Sequence, residues 1–267
     1  MKLSAEGKTD KGLSRKKNED HLCVDTVAGF FAVADGVGGA ASGEVASRTA
    51  LEVVRDYIRK TSPRGENSAA GHTGRADNLK RISAGINLAN NVIFGASKKD
   101  PALHGMGTTI AAVTIEGAEM GIGHVGDSRA YLIRAGVITQ LTEDHSLVAE
   151  QVKAGLLTKE EAQASGMRNI ITRALGQEGD VDVDTSRLTL MGGDRVLLCT
   201  DGLTTMVPDE SILSAVLSRD NPGDACRVLV DLANKGGGQD NITVILIYLE
   251  NNTFSNIIHR FFRTRRR

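Results

Sequence analysis

The chain alternates between short apolar runs bounded by turn residues and longer stretches whose apolar positions recur at helical spacing. Phe30 to Ala34 is a continuous apolar run and predicts a buried strand. His21 to Asp25, just before it, alternates apolar and polar, which predicts a partner strand across a turn at Ala28-Gly29. Ala41 to Lys60 has the length and spacing of a helix, and residues 61–77, rich in Ser, Gly and Pro, read as a surface loop. A second helix is predicted from Asn78 to Ser97, with Leu79, Ile82, Ile86, Leu88, Val92 and Ile93 as its core-facing stripe. The pattern then changes to strands at Thr108 to Ile115, Met120 to Val125, Ala130 to Arg134 and Val137 to Leu141, which the tight turns between them predict to be an antiparallel meander. Leu147 to Ala164 reads as helical in two pieces broken at Gly155, the second opened by a Thr158/Glu161 capping box. Arg195 to Cys199 is another apolar strand, helices follow at Asp209 to Ser218 and Pro222 to Asn234, and Ile242 to Leu249 is the last strand.

Composition narrows the class. A chain of 267 residues, 40% hydrophobic and with a net charge of -1, can bury one large core and predicts a single catalytic domain. The balance of charge removes any global argument for a nucleic-acid partner. Cys23, Cys199 and Cys226 are odd in number and widely spaced, so they read as reduced thiols and small core hydrophobes of a cytoplasmic protein. The polar, charged N-terminus lacks a signal-peptide core, and no apolar run is long enough to span a bilayer.

The chemistry lies in acids at strand ends. Asp35 follows Phe30 to Ala34 and precedes a glycine-rich turn, an arrangement suited to a hard cation that takes oxygen ligands. A lone Asp-Gly is ordinarily a turn signal. Gly36, Gly38 and Ala41 also match the spacing of a dinucleotide fingerprint, but Asp35 would face the pyrophosphate and no strand follows closely enough to supply a ribose-binding acid. The hairpin geometry raises the metal reading, because it carries Glu19 and Asp20 toward Asp35. Asp201-Gly202 repeats the logic after Cys199, Asp240 marks the start of the last strand, and Asp127 falls at a turn of the meander. Gathering so many carboxylates costs on the order of 4 kcal/mol per close pair at an effective dielectric near 20, which a cationic partner must offset. All-oxygen ligands, with no His-Glu-x-x-His, favour magnesium or manganese over zinc. Two such ions lower the pKa of a shared water, and Arg15 is a candidate fork for the phosphate that water would attack, or one member of a solvated basic run.

These residues carry a family likeness. Arg15-x-x-Asn18-Glu19-Asp20, Val33-Ala34-Asp35-Gly36-x-Gly38-Gly39, Gly105-Met106-Gly107-Thr108-Thr109, His124-Val125-Gly126-Asp127-Ser128-Arg129-Ala130-Tyr131, Leu141-Thr142-x-Asp144-His145-Ser146, Thr172-Arg173-Ala174-Leu175-Gly176, Cys199-Thr200-Asp201-Gly202-Leu203 and Asp240-Asn241-Ile242-Thr243 occur in this order. From about Gly7 to Leu249 the chain resembles the metal-dependent serine/threonine phosphatases of the PP2C (PPM) family, in their bacterial form. The resemblance implies an α+β fold, an α-β-β-α sandwich of two mainly antiparallel sheets flanked by helices, with a binuclear magnesium or manganese centre. It implies a catalytic domain over residues 1–250 with a helical flap at about 146–169 that governs specificity. By motif position Asp35 would bridge both ions, Gly36 would offer its carbonyl, and Asp201 and Asp240 would complete the first ion. Glu19 and Asp20 would serve the second, Asp127 would join Asp201 in a third, weaker metal site, and Arg15 would bind the substrate phosphate. The expected substrates are phosphoserine and phosphothreonine in proteins, opposing a bacterial Ser/Thr kinase. Some members carry a His after Asp-Gly that could protonate the leaving oxygen; here the position is Val37, which leaves the general acid unassigned. With Asp35, Asp201 and Asp240 all present, the expectation is an enzyme rather than a catalytically silent phosphoprotein-binding module; small phosphorylated metabolites remain an alternative substrate class.

Residues 251–267 lie outside the likeness. Phe254, Ile257, Ile258, Phe261 and Phe262 alternate with His259, Arg260, Arg263, Arg265, Arg266 and Arg267 in a basic amphipathic tail that would suit an anionic membrane surface or a partner, although chain ends are more often frayed and without specific role.

Overall fold

The computed structural model describes residues 2–37, 42–61, 78–158, 161–162, 165–167 and 169–250. Its strands pair antiparallel throughout. One five-stranded sheet has the order β1 (Leu3–Asp10), β12 (Ile242–Leu249), β11 (Arg195–Cys199), β8 (Arg129–Arg134), β9 (Val137–Gln140). The other has the order β10 (Asp184–Thr189), β7 (Glu119–Val125), β6 (Ile110–Glu116), β3 (Phe30–Ala34), β2 (His21–Asp25). A two-residue ladder joins β4 (Gly36–Val37) to β5 (Gly107–Thr108).

The period-two pattern of each strand sorts its side chains between layers. In β3, Phe31 and Val33 enter the space between the sheets, where they meet Val113, Ile122, Leu132, Val196, Ile245 and Ile247. Phe30 and Ala32 point the other way, onto α1 (Ser42–Thr61) and α2 (Asn78–Lys99), which supply Val54, Ile58, Ile82, Ile86 and Ile93. The first sheet is covered likewise: Tyr131, Leu197 and Leu246 meet Ile212 of α5 (Asp209–Leu217) and Leu229 and Val230 of α6 (Pro222–Lys235). Because both faces are covered, all eight residues of β12 are buried. Fully burying one such large side chain contributes about 1.5–3 kcal/mol, so this four-layer stack holds the frame that carries the strand ends. Caps fix where the helices begin: the Ser146 side chain accepts from Ala149 N–H at the start of α3 (Leu147–Lys153), and Asn221 accepts from Asp224 N–H ahead of Pro222.

The observed topology corrects three expectations. The predicted meander is two hairpins, β6-β7 and β8-β9, in opposite sheets, so Gly126-Asp127-Ser128 is a crossing between sheets rather than a hairpin turn. Leu88 and Val92 stand exposed on α2, where Ala89 and Ile93 take the core positions. Edge strands β1 and β10 were not expected from the pattern; both are polar, β1 with one face partly covered and β10 almost wholly exposed. Gly155 has φ +71 and ends the α3 segment as predicted, and the capping box forms, with Glu161 N–H donating to Thr158 Oγ1 at 3.2 Å and Thr158 N–H to the Glu161 carboxylate at 2.8 Å. The three cysteines are free, with Cys199 and Cys226 buried. The glycine turn at residues 38–41, the 62–77 loop, most of the second flap helix and the 251–267 tail lie outside the described residues.

Candidate metal centre

The β2-β3 register, His21 opposite Ala34, puts Asp20 and Asp35 at one open end of the hairpin. The main chain of Asp35 is fully engaged: its N–H donates to Thr109 Oγ1 at 3.0 Å, and its carbonyl accepts from Thr109 N–H at 2.9 Å and Thr108 Oγ1 at 2.8 Å. Thr109 Oγ1 also shares a 2.7 Å hydrogen bond with Ser128, in the crossing that carries Asp127. One threonine thus ties the Asp35 strand end to the Asp127 crossing.

Asp201 opens the short helix α4 (Asp201–Thr204) directly after β11. A Cβ on Gly202 would stand 1.9 Å from the Asn241 carbonyl, so only glycine lets this helix close on Asp240 and Asn241. Gly36 is confined in the same way, its Cβ position 2.3 Å from the Gly43 carbonyl and 2.6 Å from that of Glu19. The Gly36 carbonyl and the Glu19 carboxyl both lie against Gly43 in the first turn of α1. Asp240 accepts from its neighbour Asn241 N–H at 2.8 Å and from Arg15 Nη2 at 2.6 Å. Arg15 is half exposed, so the predicted phosphate fork here leans on an acid of the site.

The electrostatics identify Asp35 as the centre of the group. Burial raises its pKa well above the usual carboxylate range, and the charges of Asp20, Asp201, Asp127 and Asp240 raise it further. Burial likewise lifts Asp20 to about 7, Asp127 to about 8 and Asp201 to about 6, with neighbouring aspartates adding to each. Among the described residues the Oδ1 atoms of Asp20 and Asp127 are buried with no hydrogen-bond partner, and the Asp201 carboxyl meets that of Asp35. Buried carboxylate oxygens ordinarily find a partner. Among the described residues no three His, Cys, Asp or Glu side chains close into a ready-made cage. Clustered acidic oxygens around a shared centre, a glycine carbonyl beside a glutamate and no histidine among the described groups are a donor set that fits hard divalent cations.

Five predicted acids, Asp20, Asp35, Asp127, Asp201 and Asp240, therefore meet in one group, with Arg15 at its edge; Glu19 adjoins it through the first turn of α1. Four positioning residues were missed. The Asn241 side chain accepts from Glu19 N–H at 2.8 Å and donates to the Lys11 and Lys17 carbonyls at 2.9 Å, pinning the N-terminal loop over the site. Thr200 Oγ1 donates to Asp20 Oδ2 at 2.9 Å and accepts from Thr243 N–H. Thr109 acts as described, and His145 Nδ1 accepts from Gly126 N–H at 3.0 Å while its Nε2 faces Asp184 at 3.2 Å. Each stands beside an acid or at the end of a strand in the motifs quoted above, which was the available signal, but their partners lie far off in sequence.

A cavity of about 950 Å³ opens from Asp127 and Asp201 and runs between α3 and the segment Thr204 to Glu210. No described helix is long and apolar enough to cross a membrane.

A family model described as protein phosphatase 2C matches residues 14–222. A serine/threonine phosphatase stp from Listeria monocytogenes serotype 4b is 37% identical over 249 residues, covering 92% of this chain and 95% of that protein. Among solved structures, the Mycobacterium tuberculosis serine/threonine phosphatase PstP/Ppp superposes with TM-score 0.84 at 37% identity, covering 93% of this chain and 99% of that one. The catalytic domain of PstP in complex with two manganese ions gives TM-score 0.81 at 35% identity, again with 93% and 99% covered.

Proposed function

The chain belongs to the protein phosphatase 2C family and is a protein serine/threonine phosphatase, and from that premise we propose that it hydrolyses phosphoserine and phosphothreonine at a binuclear magnesium or manganese centre built on Asp35. The observation that carries this reading is the group of five aspartates from four separate stretches of chain, two of them, Asp20 and Asp127, with a buried oxygen that has no hydrogen-bond partner among the described residues.

In the proposed assignment Asp35 and the Gly36 carbonyl would serve the centre together, Asp201 and Asp240 would hold the first ion, and Glu19 and Asp20 would serve the second. Asp127 with Asp201 forms a weaker third position. When bound, the ions neutralise the carboxylates and supply the Lewis acidity that activates water and polarises the phosphoryl group. The chain's own part is positional. Thr109 and Thr200 hold Asp35 and Asp20, Asn241 holds the loop that bears Glu19, and Gly36 and Gly202 let the backbones approach. Arg15, held at Asp240, would offer the phosphate oxygens a planar fork, a geometry that Lys cannot reproduce. Residues 1–250 form the catalytic unit, and the cellular role that suits this chemistry is opposition to a bacterial Ser/Thr kinase. The basic tail at residues 251–267 is a candidate contact for an anionic membrane surface.

The test is hydrolysis of a phosphothreonine peptide by the full chain with manganese, in EDTA, and in the Asp201→Asn variant. Turnover that needs manganese and falls by at least about a thousandfold in Asp201→Asn supports the reading, since a residue that acts only in concert with the metal takes most of the rate with it. A folded, manganese-loaded protein that releases no phosphate would turn the reading toward a phosphoprotein-binding module.

A further inference from the structure

The cavity beside Asp127 and Asp201 is larger than phosphate chemistry requires, and its wall has a chemistry of its own. Its apolar surface comes from Val148 and Val152 on α3 and from Met206 and Val207 on the facing segment. Six acids line it against two cations, Arg129 and Lys153. Both cations are already committed: Arg129 forks onto Asp144 at 2.9 and 2.6 Å, and Lys153 pairs with Glu143 at 2.9 Å. At the inner end, Asp127 is 6% exposed and its Oδ1 has no hydrogen-bond partner among the described residues. At the outer end Asp209 and Glu210, in the first turn of α5, pair with no cation among the described residues. An apolar trough with unpaired acids at its outer end is complementary to a side chain with an aliphatic stem and a cationic head.

Position says whose side chain that is. The trough shares Asp127 and Asp201 with the acid group, while Arg15, paired with Asp240 of the same group, lies outside its lining. A peptide whose phosphate lies between Arg15 and the metals therefore passes the mouth of the trough with its next few residues.

We propose that the trough between α3 and the start of α5 is a specificity pocket for a lysine or arginine flanking the phosphorylated residue, with Asp209 and Glu210 as its outer acidic ligands. The inference rests on the phosphatase reading above and names the substrate class that reading left open. It makes the enzyme selective for phosphoproteins with basic residues near the phosphorylation site.

The experiment compares two phosphothreonine peptides that differ only in carrying Arg or Glu at the second and third positions on either side of the phosphothreonine. The full chain is assayed with manganese, beside p-nitrophenyl phosphate, which has no flanking residues. Wild-type protein is expected to favour the Arg peptide in kcat/KM by about tenfold, the scale of two half-exposed ion pairs, and to do so through KM. In Asp209→Asn/Glu210→Gln the ratio is expected to fall to near one, and in Glu210→Lys to turn toward the Glu peptide. Equal use of the two peptides by wild-type protein, or a preference that survives both variants, overturns the pocket and leaves the phosphatase standing. Failure to hydrolyse either peptide or p-nitrophenyl phosphate overturns the phosphatase reading itself, so the two failures are distinct.

Discussion

Two sets of buried aspartates in this protein answer the same physical problem in opposite ways. Asp194 is 2% exposed and Asp25 5% exposed, and each is satisfied within the chain: Arg134 forks onto Asp194 at 2.9 and 2.6 Å while Met191 N–H donates at 2.7 Å, and Arg59 pairs with Asp25. Asp20 is 3% exposed and Asp127 6%, yet among the described residues each keeps an oxygen without a hydrogen-bond partner, forms no ion pair and faces further aspartates. Burial alone does not separate the sets. The difference is in what neutralises the charge: a paired arginine from a neighbouring element for the structural pair, and for Asp20 and Asp127 no ion pair among the described residues. A carboxylate that the fold shelters but does not pair is one held for a ligand.

Substitution should pull the two sets apart, and the largest effect belongs to the unpaired one. Asp35→Asn is expected to lose at least about a thousandfold in kcat with saturating manganese, because the central carboxylate acts together with its neighbours. The same change is expected to leave the thermal midpoint in EDTA unchanged or raised, since it removes a buried charge from among like charges. A lowered midpoint in EDTA would place Asp35 with the structural aspartates.

Next in size is the pH dependence of stability. The pKa values of Asp20, Asp127 and Asp201 in the folded protein, about 7, 8 and 6, lie above the ordinary carboxylate value. Between about pH 4 and 8 the folded metal-free protein therefore holds protons that the unfolded chain has released, and its stability falls as pH rises. Midpoints measured in EDTA are expected to drop between pH 5.5 and 8.5 and manganese to reverse the drop, with a shallower slope in Asp127→Asn. A slope of opposite sign, or one unchanged in that variant, would contradict the clustering of these acids. Asp25, paired with Arg59, has the reverse sign: its lowered pKa gives a contribution that is present above the ordinary carboxylate range and lost as pH falls below it.

The smallest effect is on the satisfied set. Asp194→Asn keeps the shape and weakens two charge-assisted hydrogen bonds, which is expected to lower stability by about 2 kcal/mol while kcat with manganese stays at the wild-type value. Urea titration beside the peptide assay checks both halves, and a loss of activity in folded Asp194→Asn would erase the distinction.

The candidate site was more legible in the sequence than the topology around it. Asp35, Asp201 and Asp240 each sit where an apolar run meets glycine or asparagine, a pattern carried by neighbouring residues and readable without a fold. Strands β3, β11 and β12 were equally plain, because full burial demands apolar residues at every position that packs, and the half-covered β2 was legible through its alternation. Strands β1 and β10 escaped notice because an edge strand with little or no covered face can be built from polar sequences such as Leu3-Ser4-Ala5-Glu6-Gly7 and Asp184-Thr185-Ser186-Arg187. Their pairing partners, not their own side chains, make them strands.

What the chain's local order determined by itself was the inventory: which segments are strands and helices at the core, and which acids stand at their ends. Tertiary structure decided which of those acids meet. The Gly126 to Ser128 crossing carries Asp127 from one sheet toward the other, and Asn241 and Thr200 reach Lys11, Lys17 and Asp20 across more than 170 residues of chain. It also decided which buried aspartates receive an arginine, because Arg134 and Asp194 stand 60 residues apart and meet only once the sheet has formed. Periodicity and turn chemistry act over a few residues, whereas charge neutralisation acts through space, and only the packed sheets bring distant charges within reach of one another.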